Sequence, residues 1–441
     1  MSRTLNPMLI AAVLLCGCVV QETKPQPILH AEQATTQVPE AELLDVGVRL
    51  FDANVPKAVL DDPGLADKVR VYPDIRKAEA RYLPNQLRST LEGTGQWGAV
   101  RVIPATVDTM DVVVTGRIVE SSGTALALDI GVEDATGRKW FEKRYEAVAD
   151  TRSYKEGPGR ERDPFQNLYV KVADDMLAAR RQLKADDLKS IHRVTGLRFA
   201  ADFAPAAMSD YLAKDAKKGT YTVQRLPSES DPVVARLERI RERDDALIDT
   251  VSDGYAAFGE KIAEPYNGWR ASTYNELEAE ERAKSQSASR IAIGAALVAA
   301  AIFMPVDCKS ATCERAETVG RVSAAYGGVQ AVMSGIKKRD EAKMHTEALK
   351  EISGSFQDQA EPAVVDIEGR TLRLTGTAEE QYAEWRRLLH QEYVEETGGT
   401  AATGPAPAGS TPAGASPADV QPPPAAQPAP AANPGAANAS S

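Results

Sequence analysis

Between Ile291 and Met304 the chain reads IAIGAALVAAAIFM, fourteen residues without a charge. As a helix this stretch is about 21 Å long, short of the roughly 30 Å hydrocarbon core of a bilayer. It can neither stand uncovered in water nor cross a membrane as one helix, so something must bury it. Pro305 stops it, the loop VDCKSATCERAE turns the chain, and AETVGRVSAAYGGVQAVMSGIKKRD brings it back. Small residues recur every four positions: Ala292, Ala296 and Ala300 outbound, then Gly320, Ala324 and Gly328 on the return, with Gly327, Ala331 and Gly335 as a second series. Such spacing lets two helix backbones approach closely. Three readings stay open for 291–336: a buried αα-hairpin, an oligomerisation element in which several chains pack their small faces, and partial insertion into a bilayer. Arg321 and Gln330 count against insertion, because charge at mid-bilayer is expensive or is avoided by snorkelling.

The rest of the chain sets the context for this hairpin. Its 441 residues leave room for two or three domains on a prior of about 150 residues each. Hydrophobic residues at 43% and charged ones at 26% are ordinary for a soluble globular body. A net charge of −11 argues against a nucleic-acid partner, since phosphate binding needs a basic face. Aromatic content of only 6%, beside abundant alanine, favours helices over a large β-sandwich.

At the amino terminus Arg3 precedes an apolar run, Met8 to Leu15, too short to span a bilayer but fitting the core of a secretory signal. The run ends in Leu15-Cys16-Gly17-Cys18, which resembles the bacterial lipobox. That resemblance implies cleavage between Gly17 and Cys18, loss of residues 1–17, and a diacylglycerol on the Cys18 sulfur. Val19 rather than Asp follows, which by the same resemblance points to the outer membrane, with the protein facing the periplasm. Residues 18–40 are polar and proline-bearing and read as a tether. With Cys16 removed and Cys18 acylated, Cys308 and Cys313 remain, and an oxidising periplasm favours a disulfide between them.

Residues 41–195 read as an α+β domain, a mixed or antiparallel sheet with one face covered by helices. ELLDVGVRLFDANV alternates as a strand. Ala78, Tyr82, Leu83, Leu87 and Leu91 have helical spacing, and Pro84 suggests a break with the helix proper over Pro84–Leu91. AVRVIP and DVVVTGRIVES are strands. TALALDIGVEDATGRKWFEKRYEAVA is a hairpin turning at Asp134–Gly137. DPFQNLYVKVADDMLAARRQL is a helix with Asp163 as cap. The words LRSTLEGTGQWGAVRV, DVVVTGRI and DATGR in this order are similar to the periplasmic domain of curli-secretion channel lipoproteins and to the small α/β domain of TolB-type proteins. The long membrane-spanning hairpins of the curli channel have no counterpart here.

Residues 196–230 read as an irregular linker with a short strand near Thr220–Arg225. A helical domain follows over 231–360, opened by Asp231 and Pro232 and broken at Pro265 and Gly268. Residues 361–397 read as two short strands joined at Glu368-Gly369 and a helix opened by the capping box Thr377-Ala378-Glu379-Glu380, faintly similar to part of the phospholipid-linked BON module. Residues 398–441, rich in Pro and Ala, lack the apolar surface needed to fold.

No motif for catalysis stands out. His30, His192, His345 and His390 are scattered and none has metal-ligand spacing with another. The adjacent acids Asp174-Asp175, Asp186-Asp187 and Asp244-Asp245 point different ways on helices, which suits solvent exposure. The expectation is an outer-membrane lipoprotein with no catalytic, metal or cofactor residues. It would act as a scaffold or accessory subunit in envelope assembly, secretion or transport, with an envelope complex or its own copies as partner. An oligomeric export channel of curli-secretion type is the alternative, and a lipid- or glycan-binding module a third.

Overall fold

The structure is a computed structural model that describes residues 26–155, 162–228 and 230–303, scattered positions between 344 and 351, and residues 364–367, 370–374 and 377–397. Within 280–303 and 364–373 it describes the backbone alone.

A five-stranded mixed sheet forms the centre. Strand β1 (Val46–Arg49) lies between β2 (Val100–Ile103) and β3 (Val112–Ser121) and is parallel to both. From β3 the sheet continues antiparallel through β4 (Ala125–Asp134) and β5 (Lys139–Val148). Two short helices, α1 (Lys57–Asp61) and α2 (Ala66–Val69), precede α3 (Pro73–Glu92), the crossover from β1 to β2. Helix α4 (Gln166–Arg180) joins α3 on the apolar face of the sheet. There Val46, Val48, Val114 and Leu128 meet Leu83, Leu87, Leu168 and Met176. The class is α+β, as the element pattern implies.

Pro84 does not break α3. Its missing N–H would leave the Ala80 carbonyl without a helical partner, but the Phe51 N–H donates to that oxygen at 2.9 Å. The helix therefore runs unbroken from Pro73, eleven residues before the expected start. The first strand is shorter than ELLDVGVRLFDANV suggests, because past Arg49 the backbone turns to this carbonyl and to Gly116, whose oxygen accepts from the Asp52 N–H at 2.8 Å.

After α4 comes α5 (Ala185–Phe203), which stays helical past residue 196, where irregular chain was expected. Phe199 and Phe203 are buried in a second core, and that burial holds the helix. A short helix α6 (Pro205–Met208) and a small hairpin, β6 (Leu212–Lys214) with β7 (Tyr221–Val223), lead to α7. This helix spans Pro232–Phe303 without interruption, 72 residues, or about 108 Å. Pro265 and Gly268 were expected to break it. They sit where Ile262, Tyr266 and Trp269 bury one stripe against the first core, and that packing keeps the helix whole. A two-stranded hairpin, β8 (Val364–Ile367) and β9 (Arg370–Arg373), precedes α8 (Ala378–Thr397). Thr377 opens α8 as a capping box: its N–H donates to Glu380 at 2.8 Å and the Glu380 N–H returns to the Thr377 hydroxyl at 3.1 Å.

The second core joins what the sequence pattern divides into regions. Val102 and Ile103 of β2, Phe199 of α5, Leu247 of α7 and Trp385 and Leu389 of α8 pack together. Ser252 of α7 covers the outer edge of β2 by accepting the Val102 N–H at 3.0 Å, so this edge offers no free ladder at that position.

Candidate functional site

The chemistry of this body is concentrated where α7 crosses the other elements. Arg270 is fully buried, and two of its nitrogens donate to Asp163 Oδ2, each at 3.0 Å. A further N–H donates to Asn267, and the Tyr266 ring lies 4.3 Å from the guanidinium carbon, close enough for cation–π attraction. Asp163 was expected to cap the helix, but Phe165 occupies the N-cap of α4; Asp163 instead takes the Phe165 N–H at 2.8 Å in the turn before it, while its second oxygen serves Arg270. Nearby Glu79 is fully buried and accepts hydrogen bonds from the Tyr266 hydroxyl at 2.8 Å and from Ser121. Burial pushes the Glu79 carboxyl upward, against the charge of Arg76 and the bonds from Ser121 and Tyr266. This cluster ties α3, the sheet and the start of α4 to α7.

A second cluster ties α8 to α7 and α5. Asp244 on α7 accepts from the Tyr382 hydroxyl and from Arg386 Nη1, both at 3.1 Å. Arg386 also bonds Asp202 of α5, and its guanidinium lies over the rings of Phe199 and Phe203 at 4.9 and 4.5 Å. Burial pushes Asp244 up to about 6, in spite of the Arg386 charge. Asp244 was expected in solvent with Asp245. It is 1% exposed because α8 folds back over that face of α7. Asp175 and Asp187 fit the exposed reading better: Asp175 accepts from Lys143 and Tyr145 at 2.6 Å, and Asp187 holds the first turn of α5.

Two of the scattered histidines gain carboxylate partners. His192 Nδ1 is 2.9 Å from Asp111 Oδ2, and Asp111 also accepts from the Thr195 hydroxyl at 2.7 Å and the Asp45 N–H at 3.1 Å. The bond to Asp111 raises the imidazole above its usual range. Burial would raise the Asp111 carboxyl, but the His192, Thr195 and Asp45 bonds outweigh it and hold Asp111 low. His390 stacks on Phe203 at 4.1 Å and lies 3.5 Å from Asp202. Among the described residues no three His, Cys, Asp or Glu side chains are placed to share a metal ion.

A cleft of about 680 Å³ lies over the outer face of β3 to β5, lined by Arg49, Asp108, Arg117, Asp129, Lys139 and Arg198. Several of its charges are paired: Arg198 bonds Asp108 at 2.7 Å, and Asp129 sits between Arg144 at 2.7 Å and Arg117 at 4.0 Å, while Arg49 donates to the Val107 carbonyl at 3.1 Å.

Gly17 and Cys18 lie outside the described residues, as do Cys308, Cys313, Gly320, Ala324 and Gly328. Ala292, Ala296 and Ala300 are on the described backbone of α7, one turn apart. Sequence reasoning missed Arg270, Glu79 and Asp244 as buried groups. For Arg270 a signal was present, since it continues the stripe of Ile262, Tyr266 and Trp269, where a solvent-facing charge would be out of place. No family model, curated protein or solved structure matches the chain.

Proposed function

We propose that the chain is an outer-membrane lipoprotein, tethered through Cys18 on the periplasmic side, that acts as a rigid scaffold or accessory subunit in envelope assembly, secretion or transport. The anchoring half rests on the lipobox-like LLCGC after its apolar run. The scaffold half rests on one observation, the single helix α7. Over Pro232 to Arg270 it is fixed to α3, β2, α5 and α8 by two cores and two buried ion-pair clusters. It then runs on to Phe303, about 50 Å of further helix. Buried charges spent on holding elements together suit a body that must keep its shape under load more than one that turns over a substrate. The partner is an envelope complex or further copies of this chain.

Native mass of the detergent-extracted protein, beside a soluble form starting after Cys18, tests this. A monomer or dimer that co-purifies with a different envelope protein supports the accessory role. A large uniform ring that needs residues 291–336 favours the export-channel alternative. A soluble, unacylated protein in both preparations overturns the anchored reading.

A further inference from the structure

Two segments leave the described body at the same end. The first is the amino-terminal stretch, which is a strap rather than a free tether from Gln26 onward. The Gln26 carbonyl accepts from Arg152 at 2.6 Å and the Pro27 carbonyl from Asn167 at 2.7 Å. The Leu29 N–H donates to Asn167 at 3.1 Å, and farther along α4 the Glu32 N–H donates to Asp174 at 3.1 Å. The strap therefore begins at the amino-terminal end of α4 and runs toward its carboxy-terminal end.

The second segment is α7. Arg270 bonds Asp163, three residues before α4 starts. The β3–β4 turn presses so closely on α7 that a Cβ on Gly123 would lie 2.1 Å from the Arg270 oxygen. The Tyr274 ring is 5.3 Å from that of Tyr154, which shares one short 3-10 turn (Thr151–Tyr154) with Arg152, the residue that holds Gln26. So α7 passes the body's edge beside the point where the strap begins.

The two reaches agree. Cys18 is eight residues before Gln26, at most about 29 Å of fully extended chain. Ile291, where the apolar stretch starts, is 21 residues past Arg270 on α7, about 32 Å of helix. Exposed aliphatic side chains also mark this end: Ile28 in the strap is 48% exposed, and Val148, four residues before Arg152, is 65% exposed.

The geometry points to a lipid surface as the partner of this end of the body, with α7 directed into the same leaflet that holds the anchor. The body is then pinned close to the bilayer with the β3–β4 turn toward lipid and the start of α5 away from it. This rests on the reading of Cys18 as acylated. Of the three readings of 291–336 it selects contact with one leaflet, which a stretch of about 21 Å can enter but not cross.

The test uses the full lipidated chain in phosphatidylethanolamine–phosphatidylglycerol vesicles carrying a headgroup nitroxide quencher. Cys308→Ser and Cys313→Ser clear the background, and a fluorophore is placed at Val148→Cys, at Glu146→Cys as a second probe on the same strand, or at Asp186→Cys. The expected result is at least two-fold stronger quenching at 148 and 146 than at 186. Equal quenching at all three, or the reverse order, overturns the orientation; a body that instead self-associates through this end gives equal, weak quenching. Acylation is read separately, by labelled palmitate and by flotation with the vesicles. A chain that neither takes label nor floats refutes the lipoprotein reading and the orientation with it, whereas label and flotation with the wrong quenching order refute the orientation alone.

Discussion

Arg270 is enclosed by one carboxylate and several aromatic rings, with no exposed surface of its own. A charge taken out of water this completely is tolerated only with a partner in good geometry, and removing one member of such a pair costs about 3–5 kcal/mol. Arg270→Met is therefore expected to lower the unfolding free energy, read from denaturant titration, by that order, and the double variant with Asp163→Asn to recover part of it. If the single variant unfolds like the parent, the pair is not holding α7. Asp244 gives a pH signature of definite sign. Its folded carboxyl titrates at about 6, above the ordinary carboxylate range, because burial disfavours the charge. Its contribution to stability is then fully present below about pH 4 and is lost as the pH rises through 6, up to about 3 kcal/mol. Asp244→Asn should remove this part of the slope, so the parent's urea midpoint should fall relative to the variant's between pH 4 and pH 7; an unchanged difference would contradict it. The Asp-Pro pair before an apolar run marked a helix start close to Asp163, although the N-cap itself is Phe165. The bond between Asp163 and Arg270 was not legible, because the two are 107 positions apart and no local pattern links them.

At the scale of elements, the strands β2 to β5 and the turn at Asp134–Gly137 follow from alternation and turn chemistry alone, with Gly137 at φ 80° where the turn requires a left-handed residue. The two prolines misled for different reasons, since at Pro265 packing of Ile262, Tyr266 and Trp269 keeps the helix whole. At Pro84 a local rule treats the stranded Ala80 carbonyl as lost, whereas a loop from β1 supplies the missing N–H. Likewise α5 and α7 outlast their expected ends because their stripes are buried, and burial outweighs local propensity. The close crossing of the β3–β4 turn over α7 can be checked directly. Gly123→Ala places a methyl 2.1 Å from one backbone oxygen and 2.4 Å from a backbone nitrogen, neither of which can rotate away. It should shift the turn off α7 and lower the melting temperature by several degrees. A change under one degree would mean that the crossing is loose in solution.

Across the whole molecule, the regions expected from composition share cores. Helix α8 contributes Tyr382, Trp385, Leu389 and Tyr393 to the core that also holds β2 and α5. A chain ending at residue 360 should accordingly lose more than its own last element. Limited proteolysis is expected to cut α5 and the first half of α7 as well, and an intact 26–228 core in that truncation would argue for independent domains. The candidate lipid-facing end could not be read from sequence, since it depends on where a strap and a helix emerge in space. The apolar stretch and the lipobox-like motif were each legible alone, 273 residues apart.

The distance along the chain between Asp163 and Arg270 also sets an order of events. A protein delivered amino terminus first brings out Asp163 long before Arg270. Until the later segment arrives, the sheet region cannot close over that carboxylate without leaving it uncompensated. Synthesis therefore outruns folding of this region by at least a hundred residues. A nascent chain stalled at residue 230 should stay open to protease across α3 and α4, which makes Arg270 a timer as well as a clamp.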